Sequence, residues 1–232
     1  MTWNVLGWAI AIFVPWVFTL VFSLMLGRKA YAEEERSRYS FLIHFPYELY
    51  GGHTPQRHVA RVLIYVFCGF DALACALPLI FLDFHPSLLS LAIMVFVFGI
   101  LKNIALSIMV SVPAYEFKPH LITFTAFGGA EVLQCVLGVL FFINRFTVSE
   151  GVALTFAIVV GAVGLSAAIA LANPRLSKWT KLDAVIDEDG AITTSRPRPF
   201  PLAFTQWILI LLSGLMTLLI SIGLIVLLLS VI

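Results

Sequence analysis

Charged side chains are scarce in this sequence. Asp, Glu, Lys and Arg make up 12% of its 232 residues, whereas a soluble domain carries about 25%. Hydrophobic residues account for 61%, and the few charges are confined to segments between long apolar runs. This composition disfavours a soluble fold and a nucleic-acid-binding surface. It predicts an integral membrane protein.

The sequence also lacks the alternation of apolar and polar residues expected of a membrane β-barrel. No basic segment precedes the first apolar run, which is too long for the core of a signal peptide, so we expect that run to stay as an anchor. A helix needs about 20 apolar residues to cross a bilayer. Six runs qualify, and they predict one all-α polytopic domain over residues 1–232, with helices at Val5–Leu26, Val59–Leu82, Ser87–Val112, Leu121–Ile143, Val152–Ala172 and Leu202–Val231.

Basic residues are nearly missing from one side of the predicted membrane domain. Twelve of the 14 Lys and Arg residues fall in the connections 27–58, 113–120 and 173–201 or at their edges, while Arg145 lies on the other side and Lys102 within a helix. Loops rich in Lys and Arg face the cytoplasm. We therefore predict that long loops one and five are cytoplasmic, that both termini are on the opposite side, and that the chain lies in the plasma membrane.

Side chains that bind common cofactors are few within the predicted helices. All five histidines lie in loops or at helix ends, which disfavours a b-type haem held by two histidines. A lysine in the third of six helices, rather than in the last, disfavours a retinal Schiff base. Cys68, Cys75 and Cys135 lie in apolar runs and are weak candidates for a metal site; Cys68 and Cys75 are about 10 Å apart along their helix, too far to bind one ion. The sequence thus predicts no cofactor.

One lysine does lie inside an apolar run. Lys102 follows FGIL in the third predicted helix, and a charge at a helix centre costs about 2.5–3.5 kcal/mol on insertion scales. Asp71 in the second helix and Glu131 in the fourth fall at about the same depth. Consecutive helices with short connections usually pack together. We therefore expect Asp71, Lys102 and Glu131 to form a cluster, with Asn103 and Gln134 on the same polar faces.

Two functions are consistent with such a cluster. In the first, it is the centre of a small permease, or of the membrane subunit of a transport complex, and handles an ion, a proton or a polar solute. In the second, the ion pair holds three helices in register within a structural or assembly subunit that docks through loops one and five. An intramembrane enzyme acting on lipid is a third hypothesis, for which the sequence offers only weak nucleophile or metal candidates.

The remaining segments suggest packing and partners. The first and last helices carry no ionisable residue, and we expect them to flank a core made of the other four. Loop five contains Asp189-Gly190 between short apolar runs, which predicts a β-hairpin. Small residues recur at four-residue spacing in the fifth helix, from Ala153 and from Gly164. They favour close packing within the chain over a contact between two copies. Besides the lipid bilayer, we expect a protein partner or a homo-oligomer.

Overall fold

The computed structural model describes residues 2–81, 86–113, 116–144, 150–178, 183–186 and 192–229. Six helices in these ranges are long and apolar enough to cross a membrane, which confirms the predicted multi-pass helical architecture. Only α2 among the helices below is too short. The helices are α1 (Thr2–Glu35), α2 (Pro46–Tyr50), α3 (Pro55–Phe81), α4 (Pro86–Met109), α5 (Phe117–Ile143), α6 (Glu150–Leu171) and α7 (Pro201–Leu229).

Proline marks the start of four of these helices. The first residue of α2, α3, α4 and α7 is proline, whose fixed φ suits a first turn and whose missing N–H would have had no partner there. The predicted starts at 59, 87 and 202 lie slightly later, because they followed the apolar runs alone. Helix formation in these segments thus begins in the polar flank.

The first helix continues well beyond its apolar run. The predicted span ended at residue 26, but α1 extends to Glu35. Residues 27–35 are rich in Arg, Lys, Ala and Glu, which favour helix, and the exposed Lys29 Nζ lies 4.0 Å from Glu33 Oε1 one turn later. The predicted loop 27–58 is therefore largely helical, because α1 ends late, α2 lies within it and α3 starts early.

The last helix is central rather than flanking, which corrects the sequence prediction. Buried residues follow one another along α7 from Ala203 to Leu224, and α7 packs against α3, α5 and α6. The prediction treated a lack of charge as a sign of a peripheral helix. In a bilayer, however, weakly polar side chains such as Ser213 and Thr217 also favour the bundle interior, where they find hydrogen-bond partners.

The predicted hairpin is present in loop five. Strand β1 (Asp183–Ile186) pairs antiparallel with β2 (Ile192–Ser195), with Asp183 opposite Ser195 and Ile186 opposite Ile192. The Asp189-Gly190 pair that predicted the turn lies outside the described residues. Before β1, a short 3-10 helix covers Pro174–Lys178. Within the described residues, the regular secondary structure is thus helical apart from this small two-stranded element.

Loops one and five lie against each other at one end of the bundle. Arg196 donates two hydrogen bonds to the Glu48 carboxylate, at 2.9 and 2.7 Å. The Phe200 N–H donates to the Leu42 carbonyl at 2.7 Å, and Trp207 Nε1 donates to the His44 carbonyl at 3.0 Å. We call residues 36–50 and 196–200 the cap. These bonds make the two long loops one structure next to the start of α7.

Candidate functional site

Lys102 lies on α4 with a fully buried side chain. Its ammonium nitrogen is 3.3 Å from Glu131 Oε2 on α5 and 3.5 Å from Asp71 Oδ2 on α3. These two carboxylates are 0–1% exposed. The similar depths of the three residues and the short connections between their helices predicted that these side chains lie together. The structure therefore brings Asp71, Lys102 and Glu131 together as one cluster.

The lysine also reaches the last helix. Its Nζ donates to Thr217 Oγ1 at 2.9 Å and to the Ser213 carbonyl at 3.3 Å. The Thr217 hydroxyl in turn donates to Asp71 Oδ2 at 3.1 Å. Thr217 thus bridges the ammonium and the carboxylate, accepting from one and donating to the other. Its position explains how a full charge is accommodated among apolar helices.

Asp71 is the most completely hydrogen-bonded member of the cluster. Trp16 Nε1 of α1 donates to its Oδ1 at 2.9 Å, and Asn103 Nδ2 donates to its Oδ2 at 2.8 Å. Together with Thr217 and Lys102, these donors come from three helices other than its own. Donors to the ionised form favour it. Both oxygens of Asp71 therefore accept hydrogen bonds from neighbouring helices.

Glu131 is held differently. Its Oε1 accepts a long contact from Cys135 Sγ at 3.8 Å, and its Oε2 lies in the ion pair with Lys102 but accepts no hydrogen bond from any described residue. The side chain is nonetheless completely buried. One carboxyl of the cluster thus has every oxygen bonded, while the other has spare acceptor capacity beside the lysine.

Gln134 lies next to the cluster rather than in its ion pairs. Its Nε2 donates to Cys75 Sγ at 3.1 Å and to the Val95 carbonyl at 3.2 Å, and its Oε1 has no partner among the described residues. The close approach depends on Gly99. A Cβ at that position would lie 2.8 Å from both Cys75 Sγ and Gln134 Nε2. Glycine lets α3, α4 and α5 meet around the predicted polar faces.

The three cysteines are free and buried. Cys75 contacts Gln134 and lies 3.9 Å from the Thr217 hydroxyl, Cys135 contacts Glu131, and Cys68 packs in the main hydrophobic core. In the part of the chain that the structure describes, no three His, Cys, Asp or Glu side chains gather closely enough to hold a metal ion.

Three residues of the cluster were not predicted from the sequence. Trp16, Ser213 and Thr217 come from the first and last apolar runs, which carry no ionisable residue. A weak signal existed, since Ser213, Thr217 and Ser221 recur at four-residue spacing and are all buried on α7. Such a row marks one helix face. It could have indicated that α7 turns a polar stripe towards Lys102.

With every group ionised, the cluster has one positive and two negative charges in a site closed to solvent. An uncompensated charge is very costly in such surroundings. The chemistry available to the site is therefore the uptake of a proton or the exchange of a cation.

The chain matches no protein-family model, no curated protein and no solved structure with which it was compared.

Proposed function

We propose that the protein is a small permease, or the membrane subunit of a transport complex, in which Glu131 takes up and releases a proton. The observation that carries the proposal is the charge count in the buried cluster. Two carboxyl groups share the single ammonium of Lys102, and all three side chains are 0–1% exposed. A proton on one carboxyl group balances the charges without any further ion.

The hydrogen bonds support Glu131 as the carboxyl that carries the proton. Asp71 accepts from Trp16, Asn103 and Thr217, and these donors favour its charged form. Glu131 Oε2 accepts no well-aligned hydrogen bond from the described residues, and the donors that face this carboxyl are the Lys102 ammonium and the Ser213 side chain. Protonating Glu131 leaves the Asp71–Lys102 pair intact, whereas protonating Asp71 would weaken that pair and the three hydrogen bonds that Asp71 accepts, since hydrogen bonds to a charged oxygen are the stronger ones. Intramembrane acids of this kind serve as proton relays in pumps and transporters.

Proton flux through the reconstituted protein tests the proposal. Purified protein is placed in liposomes that contain a pH-sensitive dye, and a potassium gradient with valinomycin drives protons inward. We expect faster acidification than in protein-free liposomes, and a return to that background for Glu131→Gln. Ser166→Ala is the control, since Ser166 is exposed on α6 and its hydroxyl bonds only its own helix, at Ala162 O.

A wild-type flux equal to that of empty liposomes, or an undiminished flux in Glu131→Gln, would contradict the permease. It would favour the second candidate, a structural or assembly subunit whose cluster holds the helices in register. The observation behind that candidate is the cap, where the bidentate Arg196–Glu48 pair joins loops one and five into one ordered surface. Such a subunit would co-purify in detergent with a partner bound to the cap.

The side on which the cap lies follows from charge. We place it in the cytoplasm, because loops one and five contain most of the chain's basic residues and such loops are retained on the cytoplasmic side. With this orientation, the bundle spans the plasma membrane or an equivalent membrane. Glu131 and Lys102 then lie near its midplane, between the cap and the opposite side.

A further inference from the structure

A second polar site lies in the cap, away from the charged cluster. A cavity of about 410 Å³ opens there between the end of α1, loop one and the end of β2. Tyr31, His44, Glu48, Ser195, Arg196 and Arg198 line it, with Ile43. Ligand sites commonly have volumes of about 300–1,000 Å³. The cavity is thus large enough for a ligand and has a polar lining.

The charges around the cavity leave one cation uncompensated. Arg196 is bound to Glu48 through two hydrogen bonds, so these two charges cancel. Arg198 lines the same cavity and has no ion pair or hydrogen bond within the described residues. Burial lowers the pKa of His44, so this side chain is neutral at neutral pH. The cavity as a whole therefore has a net charge of about +1 and favours an anion.

His44 adds a donor to the same wall. The shorter of its Nδ1 contacts is the hydrogen bond from the Ser40 N–H, at 2.9 Å. Nδ1 also lies 3.2 Å from the Ser40 carbonyl; in the tautomer that accepts the shorter bond, the ring proton of the neutral imidazole is on Nε2. No described residue accepts a hydrogen bond from Nε2. The cavity thus combines a free guanidinium with a free N–H, and phosphate oxygens accept from both.

The depth of the cavity indicates where the anion comes from. Tyr31 is five residues beyond Leu26, the end of the apolar run, on one continuous helix, which places it about 7.5 Å further along the axis. The headgroup layer on each side of a bilayer is about 5–7.5 Å thick, from a hydrocarbon core of about 30 Å and a total of about 40–45 Å. Tyr31 therefore lies at the outer edge of the headgroup layer, within reach of a phospholipid phosphate for the arginines of the cavity.

We propose that this cavity binds the phosphate of a phospholipid headgroup, with Arg198 as its main cationic contact. Arg196 and Glu48 line the cavity, and their ion pair joins the two loops that form the cap. Basic pockets at the cytoplasmic end of membrane helices are known to bind lipid headgroups in this way. The bound lipid would connect the cap to the membrane surface.

Native mass spectrometry of the full-length protein in detergent tests the proposal. The probes are dioleoylphosphatidylglycerol, dioleoylglycerol, which has the same chains and no phosphate, and soluble glycerol 3-phosphate. We expect retention of the phospholipid alone. In Arg198→Gln we expect its apparent Kd to rise about tenfold or more, the effect of losing one charge-assisted hydrogen bond, while Arg198→Lys keeps most of the binding.

Arg175→Gln is the matched control. Arg175 is an exposed arginine at the same end of the bundle, in the 3-10 helix, and does not line the cavity. Since Arg198 has no partner to lose, its variants should keep the wild-type Tm, which separates binding from folding. Unchanged phospholipid binding in Arg198→Gln, or an equal loss in Arg175→Gln, would overturn the site. Binding of dioleoylglycerol as tight as that of the phospholipid would overturn the role of phosphate, and equally tight binding of glycerol 3-phosphate would overturn the lipid assignment.

Discussion

Thr217 links the two partners of a buried ion pair through a single hydroxyl group. It accepts from Lys102 Nζ at 2.9 Å and donates to Asp71 Oδ2 at 3.1 Å. An ammonium and a carboxylate held 3.5 Å apart gain from a shared polar neighbour, because each has more hydrogen-bonding capacity than the other can satisfy. The residue that completes the ion pair is thus uncharged and comes from a fourth helix.

Thr217→Val should destabilise the protein while keeping the shape of the side chain. It leaves the Lys102 ammonium and the Asp71 carboxylate each short of one buried hydrogen bond, a loss of about 1–3 kcal/mol. We expect a lower midpoint of thermal unfolding in detergent. Thr217→Ser keeps the hydroxyl and is the control, with an expected effect well below that of valine. Equal midpoints for the wild type and the valine variant would show that the bridge contributes nothing.

The residues that the sequence could identify were the ionisable ones. Asp71, Lys102 and Glu131 stand out because charge is rare in an apolar helix, and helix rise together with short connections places them at one depth. Ser213, Thr217 and Trp16 could not be singled out with the same force. Such residues occur in many spans, and the rotation of a helix about its axis is not encoded by its length or its depth.

At the scale of helices, small residues set how closely the bundle packs. Gly99 of α4 faces Cys75 of α3 and Gln134 of α5, and a Cβ there would lie 2.8 Å from side-chain atoms of both. On α6, Ala153 and Ala157 are buried, and a Cβ at Gly164 would lie 2.5 Å from Cys135 Cβ. Of the small-residue rows identified in the sequence, Ala153, Ala157 and Gly164 thus pack within the chain, whereas Ala172 is exposed.

Gly99→Ala tests the packing around the cluster. The added methyl group must push apart three helices, and overpacking of this kind costs about 1–3 kcal/mol. We expect the unfolding midpoint in detergent to fall. Gly69→Ala is a matched control on α3, since a Cβ at Gly69 meets nothing within 4 Å and alanine favours helix. The unfolding midpoints of the two variants should differ clearly, and similar midpoints would contradict the tight contact at Gly99.

Helix boundaries were harder to predict than helix positions. Hydropathy located all six spans, because each must satisfy its backbone hydrogen bonds within the bilayer. It missed the polar extension of α1 to Glu35 and the early start of α3 at Pro55, which depend on helix propensity and capping. The pairing of Arg196 with Glu48 joins residues 148 positions apart, and no local pattern specifies a contact of that range.

At the scale of the whole molecule, the bundle has the cap at one end and a buried charge cluster within. The cap lies beside the start of α7, and Trp207 Nε1 links it to that helix through the His44 carbonyl. Ser213 and Thr217 lie farther along the same helix and contact Lys102. One helix thus connects the cap to the cluster, which gives α7 a part in both.

The membrane orientation can be measured with thiol labelling. The three native cysteines are buried, so a membrane-impermeant maleimide should react weakly with the wild type. Glu150→Cys and Arg175→Cys place exposed thiols at opposite ends of α6. We expect labelling of the first in intact cells, and of the second only after the membrane is permeabilised, because Arg175 belongs to a basic loop. The reverse pattern would place the cap outside the cell.

The proposed function requires that Glu131 carries a proton while Asp71 and Lys102 remain charged. Infrared absorption of the purified protein at neutral pH measures this directly, since exposed carboxyl groups are then ionised and only a protonated carboxyl group gives the acid C=O stretching band. We expect this band in the wild type and in the control Glu116→Gln, which alters an exposed residue, and its loss in Glu131→Gln. A wild-type spectrum without the band, or a band that persists in Glu131→Gln, would contradict the assignment of the proton to Glu131.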